Sequence, residues 1–304
     1  MKEPQVGLAI STFRQDAVVC ALLDCVQEEC ADLFRTIIIV DSQGSGAIAA
    51  HIKERGYTNV ILRDSDRNLG SAGNLSLRLK IAAEEGLDYV YAVNHDGTVD
   101  RDTVTKLVAF VATHDRVGAA YPMRFMRGRN RYDFTGIMRL PMPIHVGNGL
   151  EKSESPVDVY WASSNGALYG LEPVREGLLP WGDLWMGWED LGYGWLLERK
   201  GWKQVLVPGT HFDDNYEFAA RTLGRPVVIA DKPAWYAYYG TRNLILVARR
   251  TESAPTDYLG VAARILVEVG LTTAFKKNKL TRLRYIAAGL RDGFADRAGK
   301  WRVG

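Results

Sequence analysis

Four short polar clusters in this sequence carry side chains suited to chemistry: Asp41, Asn94-His95-Asp96, Glu189-Asp190 and His211. Asp96 follows an apolar run and precedes Gly97-Thr98, so its carboxylate projects where a buried strand would end. There it could hold a divalent cation against a diphosphate, or cap the turn that follows. His211, in Pro208-Gly209-Thr210-His211, is either a second metal ligand or a solvated loop histidine. Glu189-Asp190 opens a helix behind the aromatic segment Trp181 to Trp188. Acidic residues at a helix start suit the macrodipole, and they equally suit a general base working beside an aromatic stacking surface. Asp41 could accept a hydrogen bond from a pyrimidine ring nitrogen or a ribose hydroxyl. The segment Arg67 to Asn74 places two glycines and a helix start where a diphosphate could approach backbone N–H groups.

The elements that must position these groups alternate between two periods. Val6 to Ile10, Thr36 to Val40, Val60 to Leu62, Tyr89 to Val93 and Val117 to Tyr121 read as buried strands. Between them, Val18, Leu22 and Val26, then Leu75, Leu79 and Ala82, then Val104, Leu107, Val108 and Val111 recur at helical spacing. Repeated strand-then-helix units predict an α/β fold, a mostly parallel sheet with helices on both faces and ligands beyond the carboxyl ends of its strands. Residues 123–159 lose this periodicity and read as irregular hairpins. A strand over Val157 to Trp161, the tryptophan loop, a helix over Glu189 to Lys200 and a strand over Gln204 to Val207 follow. Helices near Ala234 to Arg250 and Asp257 to Val269 come next, and the last helix carries Leu280, Leu283, Ile286, Ala287, Leu290 and Phe294 on one predicted face.

With 304 residues, of which 47% are hydrophobic and 24% charged, the chain has the composition of a globular protein. Cys20, Cys25 and Cys30 fall in one helix at spacings that suit neither a metal site nor a disulfide framework, so a reducing, cytoplasmic setting is expected. Residues 271–304 hold nine Lys and Arg against Asp292 and Asp296, a net +7 on a chain whose total is +2. An acidic body with a basic, amphipathic tail argues against a nucleic-acid-coating protein and for an end that meets an anionic surface, such as the inner face of a cell membrane. A helix packed on the body with a solvated basic face is the plainer alternative.

In their order along the chain, these segments resemble the inverting family-two glycosyltransferases of the GT-A fold. Ser11-Thr12-Phe13-Arg14 resembles the family's first-strand motif, and Val40-Asp41-Ser42-Gln43-Gly44-Ser45 its Val-Asp-Asn-Gly-Ser turn. Asn68-Leu69-Gly70 with Gly73-Asn74, Asn94-His95-Asp96, Trp188-Glu189-Asp190 and Val207-Pro208 with His211 follow in register. The resemblance implies a GT-A catalytic domain over 1–230, split into a nucleotide-binding half (1–122) and an acceptor-binding half (123–230), with a C-terminal helical region over 231–304. It implies Asp190 as base with Glu189 beside it, and Asp96 and His211 on a divalent metal, Mn2+ or Mg2+. Ser11, Thr12, Arg14, Asp41, Arg67, Asn68, Gly73, Asn74, Asn94 and His95 would face the donor nucleotide. Trp161, Trp185, Trp188 and Arg242 would face the sugar or acceptor. Trp188-Glu189-Asp190 followed by Tyr193-Gly194, and Tyr238 to Asn243, look most like the galactofuranosyl- and rhamnosyltransferase branches. The activity so implied moves a sugar from a UDP- or dTDP-sugar to a hydroxyl of a glycan or lipid-linked acceptor in cell-surface polysaccharide synthesis. The family's metal motif usually begins with aspartate, where Asn94 stands here. A non-catalytic sugar-nucleotide or glycan-binding module is the rival expectation. A nucleotidyltransferase is a weaker one, since Thr12-Phe13-Arg14-Gln15 replaces the glycine-rich, lysine-bearing loop it would carry.

Overall fold

A computed structural model describes residues 3–127, 130–133, 136–139, 141, 150–214, 220–223, 227–230 and 232–301. Parts of the segment 123–159, and Arg302 of the basic tail, lie outside the described residues. In chain order the first half runs β1 (Val6–Thr12), α1 (Asp16–Glu29), β2 (Thr36–Ser42), α2 (Ala47–Arg55), β3 (Val60–Ser65), α3 (Gly70–Glu84), β4 (Tyr89–Asn94), α4 (Arg101–Ala112) and β5 (Val117–Met126). It continues through β6 (Arg131–Tyr132), β7 (Val157–Asp158), β8 (Ala167–Gly170), α5 (Glu172–Arg175), α6 (Glu189–Arg199) and β9 (Lys203–Asp214). The hairpin β10 (Ala220–Leu223) with β11 (Val227–Ala230) leads to α7 (Tyr236–Arg250), α8 (Pro255–Ala274) and α9 (Lys279–Phe294).

Among the described residues the main sheet has nine strands, ordered β3-β2-β1-β4-β8-β5-β9-β7 with β6 added beside β5. The strands β3, β2, β1 and β4 are parallel to their neighbours, as the alternating periods imply. The runs of β1, β2 and β4 are apolar up to their polar ends because both faces are covered, whereas the edge strand β3 is only partly buried. Alternate residues serve opposite cores: Ile37 and Ile39 pack with Val19, Leu23 and Val26 of α1 and with α4, while Ile38 and Val40 pack with Leu75 and Leu79 of α3. The buried face of α1 is therefore Val19, Leu23 and Val26, so that of the predicted Val18, Leu22, Val26 face only Val26 is buried and Val18 is exposed.

Two departures shape the site. β8, four residues that carry too little pattern to be read from sequence, inserts antiparallel between β4 and β5. Its antiparallel direction puts the turn that precedes it, Ser163-Ser164-Asn165, at the carboxyl edge of β4. β9 does not stop at Val207: opposite Pro122 to Arg124 its register jumps from Val207 to Phe212, so Pro208 to His211 form a bulge and the strand resumes to Asp214. The expected strand over Val157 to Trp161 shrinks to Val157–Asp158.

A third core joins the last helices to the body, with Leu184, Leu191 and Trp195 packed on Leu244 to Ala248 of α7 and Val261 of α8. α9 lies against α7 through Gly289 and Gly293; a Cβ at Gly289 would come within 2.6 Å of the Tyr238 carbonyl oxygen. The buried face of α9 is thus Arg282, Ile286, Gly289, Asp292 and Gly293, whereas Leu280 and Phe294 of the predicted face are exposed.

Candidate active site

The carboxyl edge of the parallel strands collects the expected polar residues. Thr12, Asp41 and Asp64 are cross-strand neighbours, and Ser11 faces Asn94. Asp41 is 1% exposed, and the Thr12 hydroxyl, Asp41 Oδ1 and the Ser42 hydroxyl are buried with no hydrogen-bond partner among the described residues. Burial, with Asp16 and Asp64 nearby, pushes the Asp41 carboxyl up to about 6. The turn after β2 closes directly on it, since a Cβ on Gly44 would sit 1.7 Å from Asp41 Oδ2. Three adjacent polar atoms without a protein partner would each cost about 1–3 kcal/mol if left unpaired, so this edge offers its hydrogen bonds to water or to a ligand. Arg14 leans across the same turn, its Nη2 donating to Gln43 Oε1 at 3.3 Å.

The start of α3 differs from expectation. Asn68 Oδ1 accepts the Gly70 N–H at 2.8 Å, and the Trp185 carbonyl accepts that of Ala72 at 3.2 Å. Gly70 has φ of 68°, and a Cβ there would lie 1.9 Å from the Trp185 carbonyl oxygen, while the Gly73 Cα lies 3.2 Å from the Cβ position of Gly182. Gly70 and Gly73 let the tryptophan loop close on α3, and that loop fills the approach assigned to a diphosphate. Asn74, expected at the donor, is 4% exposed and ties its Nδ2 to the Val40 carbonyl at 3.0 Å, next to Asp41. Arg67 is exposed at the mouth of this edge.

The turn after β4 is wired into the sheet. Ser11 Oγ donates to Asn94 Oδ1 at 2.8 Å, the Asn94 N–H donates to Asn165 Oδ1 at 2.9 Å, and the His95 N–H donates to the Ser11 carbonyl at 2.9 Å. Capping of α4 falls to Asp100, whose Oδ2 accepts the Thr103 N–H at 2.8 Å. Asp96 is not that cap: it is half-buried, and its Oδ1 is enclosed with no partner among the described residues. His211 lies in the β9 bulge instead of a loop, and the Thr103 hydroxyl both donates to its carbonyl and accepts its N–H. Its Nε2 meets Asp213 Oδ1 at 3.0 Å, and the rings of Phe125 and Tyr132 stand 6.2 Å away. No group of three or more His, Cys, Asp and Glu that could hold a metal comes together among the described residues. The orphaned Asp96 oxygen fits one carboxylate ligand to a cation whose remaining positions a diphosphate and water would fill.

Glu189 and Asp190 begin α6 after an unusual approach, with φ of 62° at Trp185, 82° at Gly187 and 66° at Trp188. Burial raises both carboxyls above the usual range; for Glu189 the neighbouring Asp190 adds to this, and for Asp190 Ser164, Arg124 and Arg78 oppose it. Asp190 Oδ1 accepts the Ser164 N–H at 3.2 Å. On either side of Ser164, the residues Ser163 and Asn165 line a small cavity together with Tyr121, Arg124, Asp133 and Leu206.

Arg242 does not meet an acceptor. It is fully buried, donating from Nη2 to the Leu184 carbonyl at 2.8 Å and from Nη1 to that of Gly299 at 2.6 Å. Asn243 beside it donates to the carbonyls of Leu184, Met186 and Gly187 at 2.8–3.0 Å. The pair holds the left-handed loop that presents Glu189 and Asp190. Trp161 is likewise a wall, 8% exposed and edge-on to Trp188 at 6.0 Å. Trp188 donates its Nε1–H to the Gly240 carbonyl at 2.9 Å, and half-buried Trp185 packs 4.8 Å from the Tyr239 ring. Sequence reasoning missed Ser164 and Asn165, whose only signal is a polar triplet before a four-residue strand. It also missed Arg78, which reaches the carbonyls of Ala9 at 2.8 Å and Val93 at 2.9 Å from beneath the sheet.

The comparisons with known proteins agree with this fold. The mannosyltransferase PcManGT from Pyrobaculum calidifontis, solved with GDP-Man and Mn2+, superposes with a TM-score of 0.57 at 16% identity, over 98% of this chain and 89% of that one. S. aureus TarS 1-349 gives 0.59 at 11% identity, over 96% and 82%. GalNAc-T7, solved with UDP, GalNAc and Mn2+, gives 0.59 at 15% identity, but the 82% of this chain that aligns spans only 48% of that protein. At such identities the likeness speaks for the fold, which is the expected GT-A arrangement extended by C-terminal helices. None of the curated proteins compared matches the chain in sequence. The sequence profile of glycosyl transferase family 2 matches residues 8–162, just over half of the chain and all of the edge from Thr12 to Asp96. The chain belongs to glycosyl transferase family 2, and it is a glycosyltransferase.

Proposed function

We propose that the enzyme transfers a sugar, with inversion, from a nucleoside-diphosphate donor to a hydroxyl of a glycan or lipid-linked acceptor in cell-surface polysaccharide synthesis. The observation that carries this reading is the proximity of a carboxylate pair, Glu189 buried and Asp190 half-buried, to the turn that would meet the donor: Ser164 touches Asp190 and the next residue, Asn165, touches Asn94. Asp190 takes the proton from the acceptor hydroxyl. That oxygen bonds to the anomeric carbon as the carbon–oxygen bond to the donor phosphate breaks, and the nucleoside diphosphate leaves with the electron pair. One displacement inverts the centre and needs no enzyme nucleophile. Asp41 and Thr12 would hold the nucleoside, and Asp96, with His211 of the β9 bulge as the second ligand that the sequence resemblance implies, would hold Mn2+ or Mg2+. A cation there supplies charge neutralisation to the leaving diphosphate. The donor assigned from the sequence resemblance is a UDP- or dTDP-sugar of the galactofuranose or rhamnose type, used at the cytoplasmic face of a membrane.

The test is Asp190→Asn. A variant that binds donor yet loses transfer by about 100-fold or more is expected of a general base, and near-normal transfer by that variant would remove Asp190 from the role. The rival, a binding module without turnover, is favoured by Asn94 at the metal motif. Donor hydrolysis or transfer by the wild-type chain with manganese excludes it.

A further inference from the structure

The helix α8 has two unlike faces. Its charged residues lie inward or to the side and are paired: Asp257 with Arg139, and Arg264 and Lys276 with Glu268. Its inner side chains Val261 and Ile265 join the core that holds Trp188, and Arg264 stands over the Trp188 ring at 5.9 Å. The outer face is Tyr258, Leu259, Ala262, Ala263, Leu266, Val267, with Gly270, Thr273 and Ala274 completing it. Leu259 and Leu266 are each 70% exposed. At 100° per residue these positions cover about half the helix circumference along about 24 Å, and none carries a charge.

At the end of this stripe the turn into α9 reads Phe275-Lys276-Lys277-Asn278-Lys279-Leu280. Phe275 is 49% and Leu280 74% exposed, so an aromatic and an aliphatic side chain bracket three lysines. Lys277, Lys279 and Arg284 are exposed, and no carboxylate pairs with them among the described residues. No helix among the described residues is long and apolar enough to cross a membrane.

We infer that the outer face of α8, with the turn 275–280, is a docking surface for an anionic lipid bilayer. An uncharged apolar half-helix that ends in unpaired lysines matches what an interfacial helix needs. The apolar side chains enter the acyl boundary, and the cations meet lipid phosphates. A stripe of this length on a folded monomer is larger than scattered surface leucines explain. The basic contact lies in the α8–α9 turn, and α9 itself is committed to α7 by Gly289 and Gly293. Because the inner face of α8 packs against Trp188, docking holds Glu189 and Asp190 about one helix diameter from the lipid surface. A lipid-linked acceptor would then reach the site without leaving the membrane.

The inference does not rest on the transferase mechanism, and flotation of the full chain with vesicles tests it separately. The protein is expected to float with phosphatidylcholine vesicles that contain phosphatidylglycerol, and to remain at the bottom with phosphatidylcholine alone or in high salt. Leu259→Ser with Leu266→Ser, and separately Lys277→Glu with Lys279→Glu, should each lower partitioning by about tenfold or more. All four side chains are exposed, so melting temperature and transfer to a soluble acceptor should stay as in the wild type. Failure of the wild type to float on anionic vesicles overturns the inference, as does equal flotation of both variants. A concentration-dependent dimer that the leucine variant dissolves also overturns it, assigning the face to a second copy of the chain.

Discussion

Asn165 accepts the backbone N–H of Asn94 at 2.9 Å, one residue after Ser164 has given its own N–H to Asp190. A single turn therefore ties the edge of the parallel sheet to the start of α6, and the two halves of the site share it. A Cβ on Gly97 would lie 2.9 Å from the same Asn165 oxygen, so the turn is packed as well as bonded.

Asn165→Ala removes the acceptor and leaves the Asn94 N–H without a partner. The expected loss of stability is about 1–3 kcal/mol, read from urea denaturation. Transfer should fall as well, with donor affinity changed much less. Asn165→Asp keeps an acceptor oxygen at the same place and should recover most of the lost stability. Equal destabilisation by Ala and Asp would mean that packing, and not this bond, holds the turn.

Asn243 offers a sharper case, because its Nδ2 serves three carbonyls of the loop that precedes Glu189. Asn243→Ala orphans the carbonyls of Met186 and Gly187, leaving that of Leu184 to Arg242, and should cost more than about 2 kcal/mol. Asn243→Asp places an oxygen against those carbonyls and should be worse than alanine despite its closer shape. The kinetic signature is a lower kcat at nearly unchanged donor affinity, since the loop aims the carboxylates and does not touch the edge at Asp41. An aspartate variant as stable as the wild type would contradict the clamp.

How far the sequence revealed this site follows from where each constraint originates. The parallel strands were legible because Val6 to Ile10 and Ile37 to Val40 are apolar on both faces, and their polar ends mark the edge without further information. Asp41 and Asp96 lie at that edge, where their positions after apolar runs put them. Arg242 was misplaced because a guanidinium on a helix looks like a surface group until tertiary packing buries it against the carbonyls of Leu184 and Gly299. Asn165 was invisible because β8 is four residues long and its direction, which brings the turn to the edge, is a property of the sheet. His211 looked like a loop residue because Pro208 and Gly209 break a strand in sequence, whereas in the sheet they form a bulge that β9 survives.

The raised Asp41 carboxyl gives a pH prediction with a definite sign. Its value of about 6 exceeds the ordinary 3.8 because burial, with Asp16 and Asp64 nearby, disfavours the charge. Between about pH 4 and pH 6 the folded state holds a proton that the unfolded state has released. Its stabilising contribution is thus complete below about pH 4 and is lost as pH rises through about 6. Over two pH units this amounts to about 3 kcal/mol. Asp41→Asn should flatten that part of the stability curve and leave the free enzyme more stable at pH 7. Donor binding runs the other way: a ring N–H or ribose hydroxyl donates best to the ionised carboxylate, so wild-type affinity for nucleoside diphosphate should rise from pH 5 to pH 7. The variant should bind more weakly and without that rise. Calorimetric titration across this range checks both limbs, and a pH-dependent affinity that survives in Asp41→Asn would place the titrating group elsewhere.

The last prediction concerns the charge at the turn after β4. Asp96 brings one enclosed, unpartnered carboxylate oxygen, and Asn94, where the family usually has aspartate, brings none. Thermal stabilisation by UDP should therefore grow with manganese in the wild type and fall, with a chelator, to the part that direct nucleotide contacts supply. Asp96→Ala should abolish that metal-dependent part, leaving any direct nucleotide contact at Asp41. His211→Ala should weaken it less, because the His211 Nε2 already meets Asp213. Asn94→Asp restores a second carboxylate at a position where Ser11 Oγ can still donate to it. Each added charge near a divalent ion strengthens binding, so manganese affinity in the presence of UDP should rise by about tenfold or more. If Asn94→Asp leaves that affinity unchanged while Asp96→Ala removes it, Asn94 serves only the bonds to Ser11 and Asn165. If Asp96→Ala retains the full manganese-dependent shift, the cation is held by other residues and Asp96 loses its assignment.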